Sequence, residues 1–345
     1  MRVHEAQLAH AADLIRTGSV VAFPTETVYG LGADATNDTA VQKIFHLKGR
    51  PSHNPLIVHL AHREQLSEYV TIKEKSRVAE QLERLCPLWP GPLTIVFPEK
   101  KSIITDSASA GLSSVGIRVP NHPVARSLLE LSNRPIAAPS ANMSEYVSAT
   151  TVDHVRDCFG DTLCILDGGP SSLGIESTIV QLSEEHPAII LRPGSITREL
   201  LSQHLMEELS SVEPRTHMRE SVIAPGQLKK HYAPRTPLYF IENSQDESFL
   251  EASKNLRVGK ILFSQQEKPY DDSISTHYLS TAGEHGECAK NLYATIRNLD
   301  KANLDLIVIE KPKQGPLFEA LYDRLKRAVQ EPKGSLSLAQ KTSME

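Results

Sequence analysis

FPTETVYGLG (residues 23–32) and KGRPSHNPL (residues 48–56) decide how this chain is read. The first follows an apolar run, residues 19–23, and sets Thr25, Glu26, Thr27 and Tyr29 between Pro24 and two glycines, Gly30 and Gly32, read as turn residues. That is more polar chemistry than a simple strand end carries. The second places Lys48 and Arg50 around Gly49, directly after a helical stretch at 39–47 and before Pro51, so both cations fall at a helix end. Each cation alone is explained by the helix macrodipole. As a pair beside a glycine turn they suit phosphate or carboxylate groups. The Gly-x-Gly lacks the third glycine of a dinucleotide fingerprint, and no Gly-x-x-x-x-Gly-Lys-Ser/Thr loop occurs, so neither a Rossmann cofactor site nor a P-loop is supported.

Outward from these segments the composition is that of a folded, soluble protein. A chain of 345 residues, 40% hydrophobic and 23% charged, has room for two domains. No apolar stretch reaches the roughly 20 residues a membrane span needs. The first residues read as an amphipathic helix rather than a signal peptide, so the expected address is the cytoplasm. With a formal net charge of −5, broad attraction to nucleic acid or anionic lipid is not indicated, and any positive site must be local. Cys86, Cys158, Cys164 and Cys288 form no Cys-x-x-Cys pair, which disfavours zinc and a disulfide framework. They read as reduced thiols. His46, His53, His59 and His62 lack zincin spacing, so no metal ligands can be named.

From residue 1 to about 205 short apolar runs alternate with helical patterns. Strands are expected at 19–23, 56–60, 93–97, 115–119, 136–138, 163–166, 177–182 and 189–192; helices are expected at 39–47, 73–85, 123–131, 152–159 and 197–209, the last started by Ser195. This predicts an α/β domain on a large mixed sheet. Residues 210–237 contain Pro214, Pro225, Gly226, Pro234 and Pro237 and few apolar residues, which reads as a linker. A second βα series follows over 238–345: strands at 238–241, 258–263 and 304–309, helices at 246–256, 284–301 and 317–329, implying a small, mostly parallel sheet flanked by helices.

The polar segments of the first domain sit at the ends of expected strands: besides the opening two they are SSVGIRVP, APSANMS, IESTIV and LRPG. Strand ends at one edge of an α/β sheet are where ligands collect. Lys48, Arg50, Arg118 and Arg192 supply cations; Thr27, Ser140, Asn142, Ser148 and Ser177 supply hydroxyls and amides. No Ser-His-Asp set, carboxylate pair or cysteine nucleophile stands out. Polyanion binding, with catalysis by positioning and charge stabilisation as in phosphoryl or nucleotidyl transfer, fits that set.

FPTETVYGLG, KGRPSHNPLIVH, WPGPLTIVF, VGIRVP, APSAN and GIESTIV, in this order, resemble the YrdC family of threonylcarbamoyl-AMP synthases; APGQLKKHYAP (residues 224–234) followed by a small α/β domain is similar to its long, two-domain form. The resemblance implies a YrdC-like twisted mixed sheet with a concave cationic cavity over 1–209, a linker or lid at 210–237 and a Rossmann-like α/β domain at 238–345. It implies synthesis of threonylcarbamoyl-AMP and pyrophosphate from L-threonine, bicarbonate and ATP, with Mg²⁺ carried mainly on the phosphates. The product would feed a separate enzyme that modifies the adenosine beside the anticodon of tRNA, while direct tRNA binding by this chain stays open.

Matched residue by residue, the resemblance puts Lys48, Arg50, Asn54, Ser114, Ser140, Asn142, Ser148, Arg192 and Tyr232 on the ATP side, with Lys48 and Arg50 central to catalysis. It puts Thr27, His59, Arg118, Ala138 and Ser177 on the threonine side, Arg118 facing the threonine carboxylate. Tyr232 is expected near the nucleotide, in a linker that closes over the cavity. After APSAN the family tends to read Ser-Gly-x-x-Ser-Pro-Thr, whereas this chain reads Ser144, Glu145, Tyr146, Val147, Ser148, Ala149, Thr150. Losing that glycine and proline changes the loop's allowed backbone. Two rival readings remain: a non-catalytic tRNA- or double-stranded-RNA-binding module, disfavoured by net acidity, and carbamoyl-adenylate chemistry with another acceptor, as in hydrogenase-maturation domains, disfavoured by the absence of Cys-x-x-Cys pairs.

Overall fold

The computed structural model describes residues 4–211, 224–225, 231–241, 256–265 and 275–330. By compactness the chain divides into two units, one of residues 1–144 and 148–229, the other of residues 145–147 and 230–345, so the expected linker at 210–237 is shared between them.

The first unit is built on a ten-stranded mixed sheet. Its strands are β1 (Val21–Phe23), β2 (Gly30–Asp34), β3 (Ile57–His59), β4 (Leu93–Phe97), β5 (Val115–Arg118), β6 (Ile136–Ala138), β7 (Cys164–Ile165), β8 (Thr178–Gln181), β9 (Ile189–Arg192) and β10 (Ser210–Ser211). They lie in the order β10-β9-β8-β4-β5-β3-β6-β2-β1-β7. The central strands are buried along their length, β4 at every position, which is why they read as continuous apolar runs rather than alternations.

Gly30 and Gly32 are strand residues, not turn residues. They open β2, which pairs antiparallel with β1 through Phe23↔Gly30 and Val21↔Gly32. A Cβ on Gly32 would come within 2.6 Å of both the Phe23 ring and Ile136 Cγ2, so glycine is required by close packing across the sheet.

Helices run over Glu5–Arg16, Asp38–Lys48, Arg77–Leu85, Pro123–Ser132, Val152–Phe159 and Arg198–Leu205. Side chains of Asn37, Ser76, Thr151 and Thr197 accept from the first-turn amides of four of them, each cap contributing about 1 kcal/mol. The helix expected from residue 73 therefore begins at Arg77, after Lys75 in a left-handed conformation (φ 56°). The last helix is started by Thr197 rather than Ser195, and it stops at Leu205 because Met206 turns left-handed (φ 59°).

The second unit carries β11 (Leu238–Ile241), β12 (Val258–Ser264), β13 (Ser275–Ser280) and β14 (Leu306–Glu310), all parallel, in the order β11-β14-β12-β13. Helices span His285–Asp300 and Phe318–Ala328. Strand β13 reads STHYLS, an edge strand too polar to announce itself. Residues 246–255 of the expected helix at 246–256 lie outside the described residues. Among the described residues no helix is long and apolar enough to cross a membrane.

Candidate active site

The strand register puts the polar residues on one face of the sheet rather than along one edge. Directly opposed residues share a face, and residues two apart in a strand return to it. His59 opposes Arg118 across β3 and β5, Arg118 opposes Thr94 across β5 and β4, and His59 opposes Ile136 across β3 and β6. Two residues along, Ala138, Ile57, Gly116 and Val96 form a second row on that face. Next to them, Thr94 opposes Ile179, which in turn opposes Arg192.

Arg118 is the hub. Its Nη1 donates to Thr27 Oγ1 at 2.8 Å, its Nε to the Gly91 carbonyl at 3.3 Å, and its Nη2 stands 2.7 Å from Glu26 Oε1. Thr27 is itself held by Thr25, whose Oγ1 lies 2.8 Å away and also takes the Val28 amide. On the neighbouring strand the Thr94 and Ser177 hydroxyls are 2.7 Å apart, and Arg192 Nη2 donates to both the carbonyl and the hydroxyl of Ser177. Of the residues expected on the threonine side, Thr27 thus bonds Arg118 directly, His59 opposes it in the sheet, Ala138 lies in the adjoining row, and Ser177 is bonded to Thr94 and Arg192. His59 is 4% exposed, and its Nδ1 lies 3.3 Å from the Ile136 carbonyl. Burial, and then Arg118, push its pKa down to about 3, so the ring is neutral at physiological pH.

Of the residues expected on the nucleotide side, Lys48 is tied to Ser140 and Asn142, and Arg50 to Asn54, whereas Arg192 is bonded to Ser177. Gly49 ends the helix Asp38–Lys48 in a left-handed conformation (φ 61°), as the glycine turn predicts. Lys48 is only 2% exposed, and its ammonium donates to the carbonyls of Ser140 (2.6 Å) and Asn142, which makes it more than a dipole-compensating surface cation. Arg50 donates to the carbonyls of Asn54 (3.3 Å) and Pro55 (3.1 Å). Asn54 Oδ1 is buried without a hydrogen-bond partner among the described residues. Ser140 bridges to Gly30 at the start of β2, and Ser114 is half-buried just before β5.

Ser148 is fully buried and donates to Glu176 Oε1. In the loop before it, Glu145 takes the left-handed backbone (φ 65°) at the position where the family tends to have glycine. A conformation that glycine adopts at little cost is thus imposed on a side-chain-bearing residue. Tyr232, matched to the nucleotide by resemblance, belongs to the second unit. There its ring stacks on Tyr293 (centroids 5.8 Å) and lies under the Arg324 guanidinium.

Three residues of this network escaped the reading of the sequence: Glu26, Thr94 and Glu176. Each lies inside a quoted motif, but nothing in the linear text says that Glu26 meets an arginine 92 positions away or that Glu176 meets Ser148. Against these two buried carboxylates stand four buried cations, Lys48, Arg50, Arg118 and Arg192, so this part of an acidic chain is locally positive. Among the described residues no three His, Cys, Asp or Glu side chains form a metal-binding group. The face can take carboxylate and phosphate groups, and it offers no built-in nucleophile.

Two family models match the chain: Sua5_yciO_yrdC, described as "Telomere recombination", over residues 13–194, and Sua5_C, described as "Threonylcarbamoyl-AMP synthase, C-terminal domain", over residues 196–329. A threonylcarbamoyl-AMP synthase of Pyrococcus abyssi is 39% identical over 340 residues, 95% of either chain. One of Bacillus subtilis is 37% identical over 343 residues, 95% of this chain and 94% of the relative. The crystal structure of P. abyssi Sua5 complexed with L-threonine superposes with a TM-score of 0.84 at 36% identity, covering 95% of this chain and 97% of that one.

Proposed function

Because the chain belongs to the family of threonylcarbamoyl-AMP synthases, in its two-domain form, we propose that it joins L-threonine, bicarbonate and ATP into threonylcarbamoyl-AMP with release of pyrophosphate. The observation that carries this reading is the single sheet face on which Arg118 gathers Thr27, His59, Thr94 and, through Thr94, Ser177 and Arg192.

Once the threonine ammonium has given one proton to solvent, the amine attacks the bicarbonate carbon; hydroxide leaves and takes up a second amine proton as water, and a carbamate anion forms. A carbamate oxygen then attacks the α-phosphorus of ATP in line, and pyrophosphate departs with the electrons of the broken P–O bond. No protein nucleophile is needed. What the chain must do is hold a carboxylate, a carbamate and a triphosphate together against their mutual repulsion. Arg118 takes the threonine carboxylate, and neutral His59 adds no further cation beside it. Lys48 and Arg50, with Asn54, Ser114, Ser140, Asn142, Ser148 and Arg192, take the nucleotide. Lys48, tied to the Ser140 and Asn142 carbonyls, also fixes the loop that meets it.

In this proposal Mg²⁺ would enter on the phosphate oxygens of ATP and would supply charge neutralisation there. The product, a reactive mixed anhydride, would go to a separate transferase that modifies tRNA in the cytoplasm.

The test is pyrophosphate release by the purified chain with ATP and Mg²⁺, omitting threonine and bicarbonate in turn. Release should require both and yield a threonylcarbamoyl-AMP mass. Lys48→Met and Arg50→Met should each lower kcat/KM at least about a hundredfold, the scale of losing a preorganised cation at a transferring phosphoryl group. Release indifferent to threonine would point to another acceptor.

A further inference from the structure

We propose that Glu26 receives the α-ammonium of L-threonine while Arg118 holds its carboxylate, so that this buried pair reads the substrate as a zwitterion. The inference rests on the threonine reading above and adds a residue to it.

Three observations lead here. Glu26 is 6% exposed; its Oε1 is ion-paired with Arg118 Nη2 at 2.7 Å, and its Oε2 is buried with no hydrogen-bond partner among the described residues. A carboxylate removed from water ordinarily fills its acceptor sites; one that meets a cation through one oxygen and leaves the other without a donor is poised for a donor that arrives later.

The main chain around Glu26 is tied down. Its carbonyl accepts from the Leu173 amide at 2.8 Å and from Ser172 Oγ, while Thr25 Oγ1 takes the amides of Thr27 and Val28. The carboxylate is therefore aimed at Arg118 by its own loop and does not merely collapse onto the nearest charge.

His122 is the nearby group that could neutralise Glu26. Burial lowers its pKa although Glu26 pulls the other way, and its Nδ1 has no hydrogen-bond partner among the described residues. A neutral His122 leaves Glu26 available to a substrate cation.

The geometry matches an amino acid. Its ammonium and carboxylate hang on one Cα, about one hydrogen-bond length apart, and Glu26 and Arg118 present opposite charges at the same separation. Bound this way, the two substrate charges and the two protein charges cancel in a desolvated place where an unbalanced charge is costly. A merely structural Glu26–Arg118 pair would make no distinction between ligands with and without an ammonium.

The test is calorimetric binding of L-threonine and of 2,3-dihydroxybutanoate with the same stereochemistry, in which a hydroxyl replaces the ammonium. The full-length chain should bind threonine at least about tenfold more tightly, the scale of a charged hydrogen bond. In Glu26→Gln that preference should vanish, threonine weakening at least about tenfold and the hydroxy acid staying within about twofold. Equal affinities in the parent chain, or a preference retained in Glu26→Gln, overturn the proposal. Should Glu26→Gln fail to fold, the comparison in the parent chain decides alone. No threonine binding by the parent chain at millimolar concentration would instead sink the synthase reading, a separate outcome.

Discussion

His59 is packed edge-on against Phe23 and shares a face with Arg118. Its pKa, pushed down to about 3 by burial and then by Arg118, sits well below the ordinary 6.5 that holds once the chain unfolds. Between these values the unfolded chain binds a proton that the folded chain refuses, so stability contributed by the neutral ring is complete above about pH 6.5 and is lost as pH falls towards 3. His59→Gln should therefore lose less stability than the parent chain between pH 6.5 and 4.5, by at most about 1.4 kcal/mol per pH unit in denaturant titrations; parallel curves would refute this. The cysteines follow the same logic of burial. Cys288 is pushed up to about 11 by desolvation and then by Glu284 and Glu287; Cys86 and Cys288 are buried, and Cys158 and Cys164 half-buried.

At the scale of elements, helix His285–Asp300 organises the second unit around residues 145–147. Arg297, with no exposed surface, donates to the Val147 carbonyl, and its guanidinium lies 4.7 Å from the centre of the Tyr146 ring. Tyr146 Oη donates to Asp300 Oδ2 at 2.7 Å, and the Thr236 amide donates to Oδ1 at 2.7 Å. Burial, and then Asp300, raise the Tyr146 pKa; Asp300 is held below the usual range by its hydrogen bonds even though burial opposes its charge. Tyr146→Phe removes one charged hydrogen bond and leaves the ring, so it should cost the second unit about 1–3 kcal/mol. Hydrogen exchange across His285–Asp300 measures that loss, and unchanged protection would show that the bond carries no net stability. The departure from the family at Glu145 and Tyr146 thus has a structural counterpart: Glu145 turns left-handed and accepts the Ala233 amide on its carbonyl, while Tyr146 reaches Asp300.

At the scale of the molecule, one short loop is shared out between two compact units, residues 145–147 grouping with 230–345. A chain ended after Lys229 keeps that loop but loses Arg297, Asp300 and Ala233, its partners. Chymotrypsin should then cut after Tyr146 in the shortened chain and spare the full-length one; equal resistance would mean that the loop holds its shape without the second unit. Charge is also arranged at this scale. A chain of net charge −5 concentrates Lys48, Arg50, Arg118 and Arg192 below the surface of one unit, so anionic substrates meet a local field of the opposite sign to the whole.

The linear text by itself determined the class of fold, most element positions and the residue types of the site, because apolar runs, caps and glycine stops are local signals. It was read wrongly where a local signal had a distant cause. Gly30 and Gly32 look like turn residues, but it is the approach of Phe23 to both, with Ile136 against Gly32, that explains why β2 carries no side chains there. It was silent where pairing is long-range: the edge strand Ser275–Ser280, the second carboxylate Glu176 behind Ser148, and Glu26 beside Arg118. Tertiary structure decided these because strand register, set by burial over the whole sheet, chooses which side chains share a face, and no single segment contains that information.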